Sequence, residues 1–317
     1  MDESDGTIRF DGRVGIVTGA GGGLGRAYVM ELARLGARVV VNDIAYGAAD
    51  KVVAEIAANG GSAVASRDSV ATRAGGRAIY DHAVEAFGRI DILISNAGIL
   101  RQARFEDMSE ADIDEVIDVH LKGAFHVGQP AFAAMKSQGY GRMLFTSSSS
   151  GLFGHPWQAS YAAAKAGVVG LANAIALEGK PHGIACNVIM PNARTSMADG
   201  VGFGWKAEAP EVGAQLDQLV ALPSGGGERL DAEWVVPLAM HLVSEQAETN
   251  HGIFSACSGR YARVAITAAE GWVAPSLPSA EAMANHWPQI CDAGSLIEPM
   301  SVYDEALTVR QALVKLA

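Results

Sequence analysis

The sequence predicts an α/β fold: a doubly wound parallel sheet of about seven strands, followed by a small C-terminal extension. Apolar, β-branched runs alternate with helical patterns over about the first 200 residues. Runs that are apolar throughout are typical of strands covered by helices on both faces. Apolar residues make up 49% of the 317-residue chain, which is enough for one large core.

Seven apolar runs are the predicted strands, and they lie at 14–18, 38–43, 62–67, 91–95, 142–146, 184–190 and 252–257. Between them, apolar residues recur with helical spacing. The predicted helices lie at 24–35, 49–59, 73–87, 109–135, 158–177, 231–243 and 280–291. Pro130 stands inside the longest of these helices and should kink or divide it. Strands and helices in this alternation indicate a Rossmann-type fold.

The alternation breaks after Pro191. Residues 198–230 contain seven glycines, and a loop of this length in a compact domain usually has a function. We therefore expect residues 1–258 to form one domain, in which 198–230 are a lid over the substrate. Residues 259–317 are too apolar for a disordered tail and form the C-terminal extension.

Charge and cysteine content exclude several classes of function. Lys and Arg total 24 against 35 acidic residues, a net charge of −11 that argues against nucleic acid as a partner. The three cysteines lie far apart, so neither a disulfide framework nor a metal site is expected. The N-terminus lacks an apolar run, and the uncharged window 143–164 is too polar to cross a membrane. We expect a cytoplasmic protein that uses neither metal nor membrane.

The first predicted strand runs directly into the glycine-rich segment Thr18-Gly-Ala-Gly-Gly-Gly-Leu-Gly25. Glycines at 19, 23 and 25 allow a tight turn, a close approach to a pyrophosphate, and close packing of helix on strand. The helix that follows presents its N-terminal N–H groups to the phosphates. This context favours a dinucleotide site over a purely structural turn.

Asp43 closes the second predicted strand, 18 residues after Gly25. A carboxylate there accepts hydrogen bonds from the hydroxyls of the adenosine ribose and repels a 2′-phosphate. The glycine loop contains no Arg or Lys that could bind such a phosphate. The sequence therefore predicts NAD, and not NADP, as the cofactor.

Tyr161 and Lys165 stand four residues apart on one predicted helix and therefore share a face. A nearby ammonium and an oxidised nicotinamide would both favour the phenolate, so we expect the Tyr161 pKa to fall toward neutrality. The side chain would then serve as a general base. Ser148, at the end of a predicted strand, could hold a substrate hydroxyl or carbonyl; its serine neighbours could be turn residues only.

These motifs, together with Asn96-Ala97-Gly98, resemble the short-chain dehydrogenase/reductase family over about residues 10–258. The resemblance implies that Ser148 polarises the substrate oxygen, that Tyr161 moves its proton, and that Lys165 holds the nicotinamide ribose. It also implies cofactor contacts at Gly19, Gly22, Gly23, Leu24, Gly25, Asp43, Asp68, Ser69, Asn96, Ala97, Gly98, Tyr161, Lys165, Pro191 and Asn192. Asp68 matches the position that contacts adenine.

Two positions depart from the common family pattern. A fourth catalytic residue, usually Asn, falls on His120, which either anchors a proton-relay water or only packs within its helix. Pro191-Asn192 stands where the family commonly has Pro-Gly, and Asn tolerates many of the backbone angles that Gly permits.

A narrower resemblance is to the (3R)-hydroxyacyl-CoA dehydrogenase branch of that family, which includes the dehydrogenase part of peroxisomal multifunctional enzyme type 2 and stand-alone bacterial relatives. It rests on residues 9–14, 41–43, 96–101, 186–192 and 281–292. The resemblance implies NAD-dependent oxidation of a 3-hydroxyacyl-CoA, in β-oxidation or on a steroid side chain. It also implies a homodimer or dimer of dimers, with the extension packed at the dimer interface.

Three functions remain open at this stage. The first is the 3-hydroxyacyl-CoA dehydrogenase, in which Arg101 or Arg104 could meet the CoA phosphates. The second is a hydroxysteroid dehydrogenase that acts on a free steroid alcohol. The third is a dinucleotide-sensing protein without catalysis, against which the intact set of Ser148, Tyr161 and Lys165 argues.

Overall fold

The computed structural model describes residues 7–194, 202–222 and 229–314. Its central sheet contains the strands β1 Val14–Thr18, β2 Arg38–Asn42, β3 Ser62–Ser66, β4 Ile92–Ser95, β5 Gly141–Thr146, β6 Ile184–Asn192, β7 Ile253–Cys257 and β8 Arg260–Val264. They lie in the order β3-β2-β1-β4-β5-β6-β7-β8. The pairings from β1 to β7 are all parallel, which confirms the predicted α/β class.

The strand order places a ligand crevice at the centre of the sheet. β1 pairs with β2 on one side and with β4 on the other, and all five of its residues are buried. The chain therefore adds β2 and β3 on one side of β1, and then crosses to the other side of β1 to add β4 and the later strands. Ligands of open α/β sheets bind at such a reversal, outside the carboxyl ends of the strands.

Helices cover both faces of this sheet, as the sequence predicts. The α-helices are α1 Gly23–Arg34, α2 Ala48–Ala58, α3 Arg73–Phe87, α4 Glu110–Ile117, α5 Gly123–Gln138, α6 Ser149–Phe153, α7 Ala159–Gly179, α8 Pro210–Ala221, α9 Val236–Leu242, α10 Ala280–Ile290 and α11 Val302–Val314. The bounds of α1, α2 and α3 lie within one residue of the prediction, and a glycine with positive φ follows the end of each helix: Gly36, Gly60 and Gly88.

The helix predicted at 109–135 is interrupted, but at a different place from the one expected. Ser109 caps α4 by accepting a hydrogen bond from the N–H of Asp112, at 3.1 Å. A π-helical turn at Asp118–Lys122 then joins α4 to α5, and Pro130 lies inside an unbroken α5. A single proline removes one helical hydrogen bond, which the flanking turns of α5 tolerate. The prediction that Pro130 divides the helix is therefore wrong, and a kink there stays a prediction.

Other differences lie near the end of the sheet and within the predicted lid. Ser258 and Gly259, both with positive φ, form a two-residue turn that leads from β7 into β8. Positive φ at both central residues is typical of the turns that join antiparallel strands, so an eighth strand follows the predicted seven. Residues 202–222, expected as loop, contain α8. The remainder of the predicted lid, at 198–201 and 223–228, lies outside the described residues.

The chain divides into two compact units between Arg263 and Val264. In the second unit, Ala268–Ala269 (β9) pairs antiparallel with Leu296–Ile297 (β10), and the rings of Trp272 and His286 stack at 3.8 Å. α10 occupies the predicted position at 280–290, whereas α11 has no counterpart in the prediction.

The amino ends of β1 and β4 are joined by a buried carboxylate, Asp91, with no exposed surface. It accepts hydrogen bonds from the backbone N–H of Val14 at 3.0 Å and from the guanidinium of Arg13 at 2.9 Å. The Arg89 guanidinium adds two more, at 2.8 and 2.6 Å. This charge is thus surrounded by donors, as a buried structural charge must be.

Candidate active site

The glycine-rich segment forms a tight turn between β1 and α1. Gly19 has a φ of +63°, and a side chain there would meet the Cα of Ala97 at 2.8 Å. A side chain at Gly25 would overlap the carbonyl oxygen of Gly19. Gly22, by contrast, has open space beside it and precedes the first turn of α1, which begins at Gly23. The backbone N–H groups at the start of α1 are therefore accessible to a phosphate.

A second turn, Asn96-Ala97-Gly98, is pinned to this loop. The hydroxyl of Thr18 accepts hydrogen bonds from the N–H groups of Asn96 and Ala97, both at 3.0 Å. The Asn96 amide donates to the carbonyls of Thr18 and Gly19 at 3.1 and 3.2 Å. The sequence analysis assigns no role to Thr18. The signal that could have identified it is a hydroxyl residue at the last position of an otherwise apolar strand, where the structure buries it.

Asp43 follows β2 and contacts the glycine loop directly. One carboxylate oxygen accepts a hydrogen bond from the N–H of Gly21 at 2.9 Å, and the other accepts from Ala45 at 2.8 Å. A side chain at Gly21 would lie 2.8 Å from this carboxylate. The arrangement fixes a negative charge beside the loop, where the ribose of a dinucleotide would lie.

Tyr161 and Lys165 lie in the first two turns of α7 and share one face. The Lys165 ammonium donates to the carbonyl of Thr146 at 2.6 Å and lies 5.6 Å from the centre of the Tyr161 ring. Its side chain is almost completely buried, and burial lowers the pKa of Lys165 to about 7. The Ser147 hydroxyl donates to the Lys165 carbonyl at 2.8 Å and holds this turn of α7 against β5.

The electrostatics of Tyr161 differ from the expectation. Burial raises the pKa of Tyr161, and a hydrogen bond with Ser148 acts in the opposite direction without offsetting it. Burial, and not the Lys165 ammonium, therefore sets the direction of this shift. Ser148 also caps α6, where its hydroxyl accepts from the N–H of Ser150 at 3.2 Å.

His120 lies in the π-helical turn, only 3% exposed. Its Nε2 lies 2.7 Å from the carbonyl of Ile99 and 3.0 Å from the N–H of the same residue. Its Nδ1 is buried without a hydrogen-bond partner in the described structure. The ring meets Tyr161 edge to face at 5.1 Å, and a side chain at Gly98 would overlap it. Burial, followed by the Lys165 charge, lowers the pKa of His120 to about 3.

These elements surround a cleft of about 700 Å³ at the carboxyl ends of the strands. The predicted site residues that line it are Gly19, Gly22, Gly23, Leu24, Asp43, Asn96, Gly98, Tyr161, Lys165 and Pro191. The predicted residues that lie outside its lining are Gly25, Asp68, Ser69, Ala97, His120, Ser148 and Asn192. His120 and Ser148 instead contact Tyr161, which does line the cleft.

Asp68 and Ser69 lie just beyond the carboxyl end of β3, the strand that pairs with β2. One carboxylate oxygen of Asp68 accepts a hydrogen bond from the Ser66 hydroxyl at 3.0 Å and lies 3.1 Å from the Nε2 of His82. The Ser69 hydroxyl accepts from the N–H of Ala71 at 3.2 Å and so serves the turn into α3.

The two arginines considered for CoA both have acidic partners. Arg101 lines the cleft and pairs with Glu115 at 2.9 Å. Arg104 pairs at 2.8 Å with Glu208, which also accepts from the Trp157 indole N–H at 2.9 Å. Glu208 lies in the described part of the predicted lid. Arg104 and Trp157, which lie outside the lid, therefore bind this part through its carboxylate.

The residues present fit a nicotinamide dinucleotide. The open face at Gly22, the adjacent helix N-terminus and the fixed carboxylate of Asp43 provide places for a pyrophosphate and a ribose. Thr146 lines the cleft together with Lys165, and its buried hydroxyl has no hydrogen-bond partner in the part of the chain that the structure describes.

Comparison with known proteins agrees with this geometry. Residues 13–201 match the family model described as short chain dehydrogenase, and this match covers more than half of the chain. The chain belongs to the short-chain dehydrogenase family. It is accordingly an oxidoreductase that uses a nicotinamide dinucleotide.

Relatives within the family have related names. The chain is 40% identical to peroxisomal multifunctional enzyme type 2 of Mus musculus, over 97% of this chain and 40% of that protein. It is also 40% identical to the hydroxyacyl-CoA dehydrogenase ChsB1 of Mycobacterium tuberculosis, over 78% of each. The solved structure of the Drosophila melanogaster multifunctional enzyme has a TM-score of 0.77 at 35% identity, over 98% of this chain and 51% of that chain. The chain thus spans about half or less of the multifunctional enzymes.

Two further properties bear on the class of protein. Among the described residues, no group of three or more His, Cys, Asp or Glu could hold a metal ion. One described helix, Ala159–His182, is long and apolar enough to span a membrane by length and composition alone. It carries Tyr161 and Lys165 and packs against β6, as the core helix of a sheet does.

Proposed function

We propose that this short-chain dehydrogenase oxidises a 3-hydroxyacyl-CoA to the 3-oxoacyl-CoA with NAD. The observation that carries the proposal is the joint placement of Tyr161 and Lys165 in the cleft that Asp43 borders. The printed names of the relatives, multifunctional enzyme type 2 and hydroxyacyl-CoA dehydrogenase, support the substrate class. A steroid side chain is one acyl group that the test below includes.

The choice of NAD over NADP rests on Asp43. Its two carboxylate oxygens are held by backbone N–H groups of Gly21 and Ala45, so the negative charge cannot easily turn away. A ribose diol can donate to such a carboxylate, whereas a 2′-phosphate would place two anions side by side.

When bound, the nicotinamide ring accepts a hydride, and the residues of this chain move the proton and orient the substrate. The phenolic oxygen of Tyr161 takes the proton of the substrate hydroxyl, and the Ser148 hydroxyl hydrogen-bonds the same substrate oxygen. The Lys165 ammonium has three N–H donors, and in the described structure one of them binds an acceptor, the Thr146 carbonyl. The other donors remain for the nicotinamide ribose. Its positive charge, when present, favours the phenolate of Tyr161.

His120 has a supporting role in the same proposal. Its Nε2 lies between the carbonyl and the N–H of Ile99, and we propose the tautomer in which Nε2 donates to the carbonyl, because Nδ1 is then unprotonated and able to accept. We propose that Nδ1 accepts a hydrogen bond from a water of the proton relay behind Tyr161. The low pKa of His120 keeps this acceptor neutral across physiological pH.

A homodimer, or a dimer of dimers, is also proposed, with the extension at 259–317 packed at the dimer interface. Its support is the number of large apolar side chains that α11 exposes: Val302, Tyr303, Leu307, Val309, Leu313 and Val314. Light scattering on the intact chain and on a chain ending at residue 263 would test it, because only the intact chain should be dimeric. Equal masses per particle for both would contradict this part of the proposal.

One panel of substrates tests the activity. (3R)- and (3S)-hydroxyacyl-CoA esters from short chain to steroid side chain, together with a free steroid alcohol, are incubated with NAD or NADP, and absorbance reports the reduced cofactor. We expect reduction of NAD with the (3R) esters. A higher kcat/KM for the free steroid alcohol would favour the hydroxysteroid dehydrogenase. No reduced cofactor with any compound would leave only dinucleotide binding.

A further inference from the structure

Three side chains form a hydrogen-bonded group beyond the carboxyl end of β3, outside the lining of the catalytic cleft. The Asp68 carboxylate oxygen Oδ2 accepts from the Ser66 hydroxyl at 3.0 Å and lies 3.1 Å from Nε2 of His82 on α3. A carboxylate is an acceptor only, so the His82 Nε2 carries the hydrogen in this contact. Two donors from different elements therefore hold one oxygen of Asp68.

The strand side of this group is rigid. Ser66 is 1% exposed, and its hydroxyl accepts from the amide of Asn42 at 3.2 Å. The same amide donates to the Asp68 backbone carbonyl at 2.9 Å. Asn42 immediately precedes Asp43, so the network fixes Asp68 relative to the proposed ribose site. Within residues 7–194, 202–222 and 229–314, the one side chain of α3 that hydrogen-bonds this carboxylate is His82, which is 40% exposed.

The other oxygen of Asp68, Oδ1, has no hydrogen-bond donor among the described residues, and the side chain is 34% exposed. A carboxylate with one oxygen fixed and the other open is an acceptor with a defined direction. Its complement is an N–H donor on a ligand that already occupies the neighbouring ribose site. The 6-amino group of adenine is such a donor, whereas hypoxanthine has a carbonyl oxygen there, which the carboxylate would repel.

We propose that His82 is a positioning residue that orients the Asp68 carboxylate and thereby sets the preference for adenine over other purines in the cofactor. The inference rests on the proposed use of NAD. His82 does not contact the reacting atoms; it acts through Asp68. Without it, Oδ2 keeps the Ser66 hydroxyl alone, and the carboxylate can rotate away from the purine.

The test compares NAD with nicotinamide hypoxanthine dinucleotide, which differs in the purine 6-substituent. Dissociation constants for both are measured by calorimetry, and kcat and KM with a (3R)-hydroxyacyl-CoA. The variants are His82→Ala, His82→Gln, which retains an N–H donor at the end of the side chain, and Glu85→Ala, an exposed truncation on the same helix α3. The wild type should prefer NAD by about tenfold, the strength of one hydrogen bond to a charged group.

His82→Ala should reduce that preference to about twofold through weaker binding of NAD, with kcat unchanged. His82→Gln should restore most of it, and Glu85→Ala should match the wild type. An unchanged preference in His82→Ala, or equal weakening of both dinucleotides, would overturn the inference. Calorimetry requires no turnover, so a chain that binds NAD but oxidises no acyl-CoA would refute the proposed function while still testing His82.

Discussion

Two buried charges lie at opposite ends of the same sheet, and their surroundings differ. Asp91, at the amino ends of the strands, accepts hydrogen bonds from Val14, Arg13 and Arg89. Lys165, near the carboxyl ends, has three N–H donors but only the Thr146 carbonyl as an acceptor in the described structure. The Nδ1 of His120, beside it, has no hydrogen-bond partner among the described residues.

The difference separates a structural charge from a functional one. A buried charge is tolerated when donors or acceptors from the protein replace water, and Asp91 meets this condition. Lys165 does not meet it, so burial lowers its pKa to about 7, and part of its hydrogen-bonding capacity remains for a ligand. Substitutions at the amino end should therefore change stability, and those at the carboxyl end should mainly change activity.

Tyr161→Phe provides the largest expected effect and tests the carboxyl end. Removal of the phenolic proton carrier should lower kcat by about 10³-fold, within the range for general acid–base catalysis. The free energy of unfolding and the affinity for NAD should stay close to wild type. Steady-state kinetics, urea unfolding and calorimetry measure the three. Tyr80→Phe, on α3, is the matched control and should retain full activity. Substantial turnover by Tyr161→Phe would refute the assigned base.

Asp91→Asn tests the amino end. The substitution keeps the shape of the side chain but leaves Arg13 and Arg89 without their carboxylate. Both arginines are partly exposed, so we expect a loss of about 2–3 kcal/mol in the free energy of unfolding, below the range for a fully buried pair. Below the unfolding transition, kcat and KM for NAD should not change. A fall in kcat at full folding would show that the two ends are coupled.

His120→Asn tests whether stability also depends on the carboxyl end. The pKa of His120 is about 3 in the fold and near 6.5 when unfolded, so between these values only the unfolded chain binds the proton. Stability is therefore lost as pH falls through this window. Between pH 6.5 and 5, the wild type should lose about 1–2 kcal/mol that His120→Asn retains. Urea unfolding at both pH values measures this difference, and equal losses would contradict the low pKa.

Asp43→Ala removes the carboxylate beside the glycine loop. The KM for NAD should rise about tenfold, as expected from loss of a charge-assisted hydrogen bond, and the discrimination against NADP should weaken. Kinetics with both cofactors measure the change. Asp50→Ala, which removes an exposed carboxylate paired with Arg67, is the control and should leave both values unchanged. An unaltered cofactor preference would mean that other groups bind the ribose.

Lys165→Met tests directly whether the buried ammonium contributes to stability, and its expected effect on the free energy of unfolding is the smallest of the five. Replacing a buried, incompletely paired ammonium with an apolar side chain of similar length should leave the free energy of unfolding unchanged or raise it by about 1 kcal/mol. Activity should nevertheless be lost. If Lys165→Met destabilises the fold as much as Asp91→Asn, the distinction between the two charges is wrong. Urea unfolding of both variants decides the question.

The sequence alone predicts the parts of the site that depend on local order. The glycine loop after β1 and the four-residue spacing of Tyr161 and Lys165 are local, since a strand end or one helix face places them. The parallel sheet follows from apolar runs between helices. These features need no knowledge of which distant segments touch.

Features that depend on distant contacts were missed or misjudged. The contact between His120 and Ile99 and the hydrogen bond from Lys165 to Thr146 join separate elements. The spacing of residues along the sequence does not reveal them. Burial raises the pKa of Tyr161, and this contribution cannot be read from the four-residue spacing of Tyr161 and Lys165. Pro130 does not divide its helix, and the π-helical turn has no sequence signal that we can name.

That turn also solves a problem of helical phase. In an α-helix of 3.6 residues per turn, side chains spaced by four residues drift by about 40° at each step. Val116, His120 and Ala124 have this spacing, yet all three are buried. One wide turn between α4 and α5 resets the phase, so α4 can pack against α7 while α5 packs against α3. Deleting a single residue from Asp118–Lys122 would therefore return the segment to α-helical spacing, with little rotation of α5 against α4 but without the wide turn that places His120 against Tyr161.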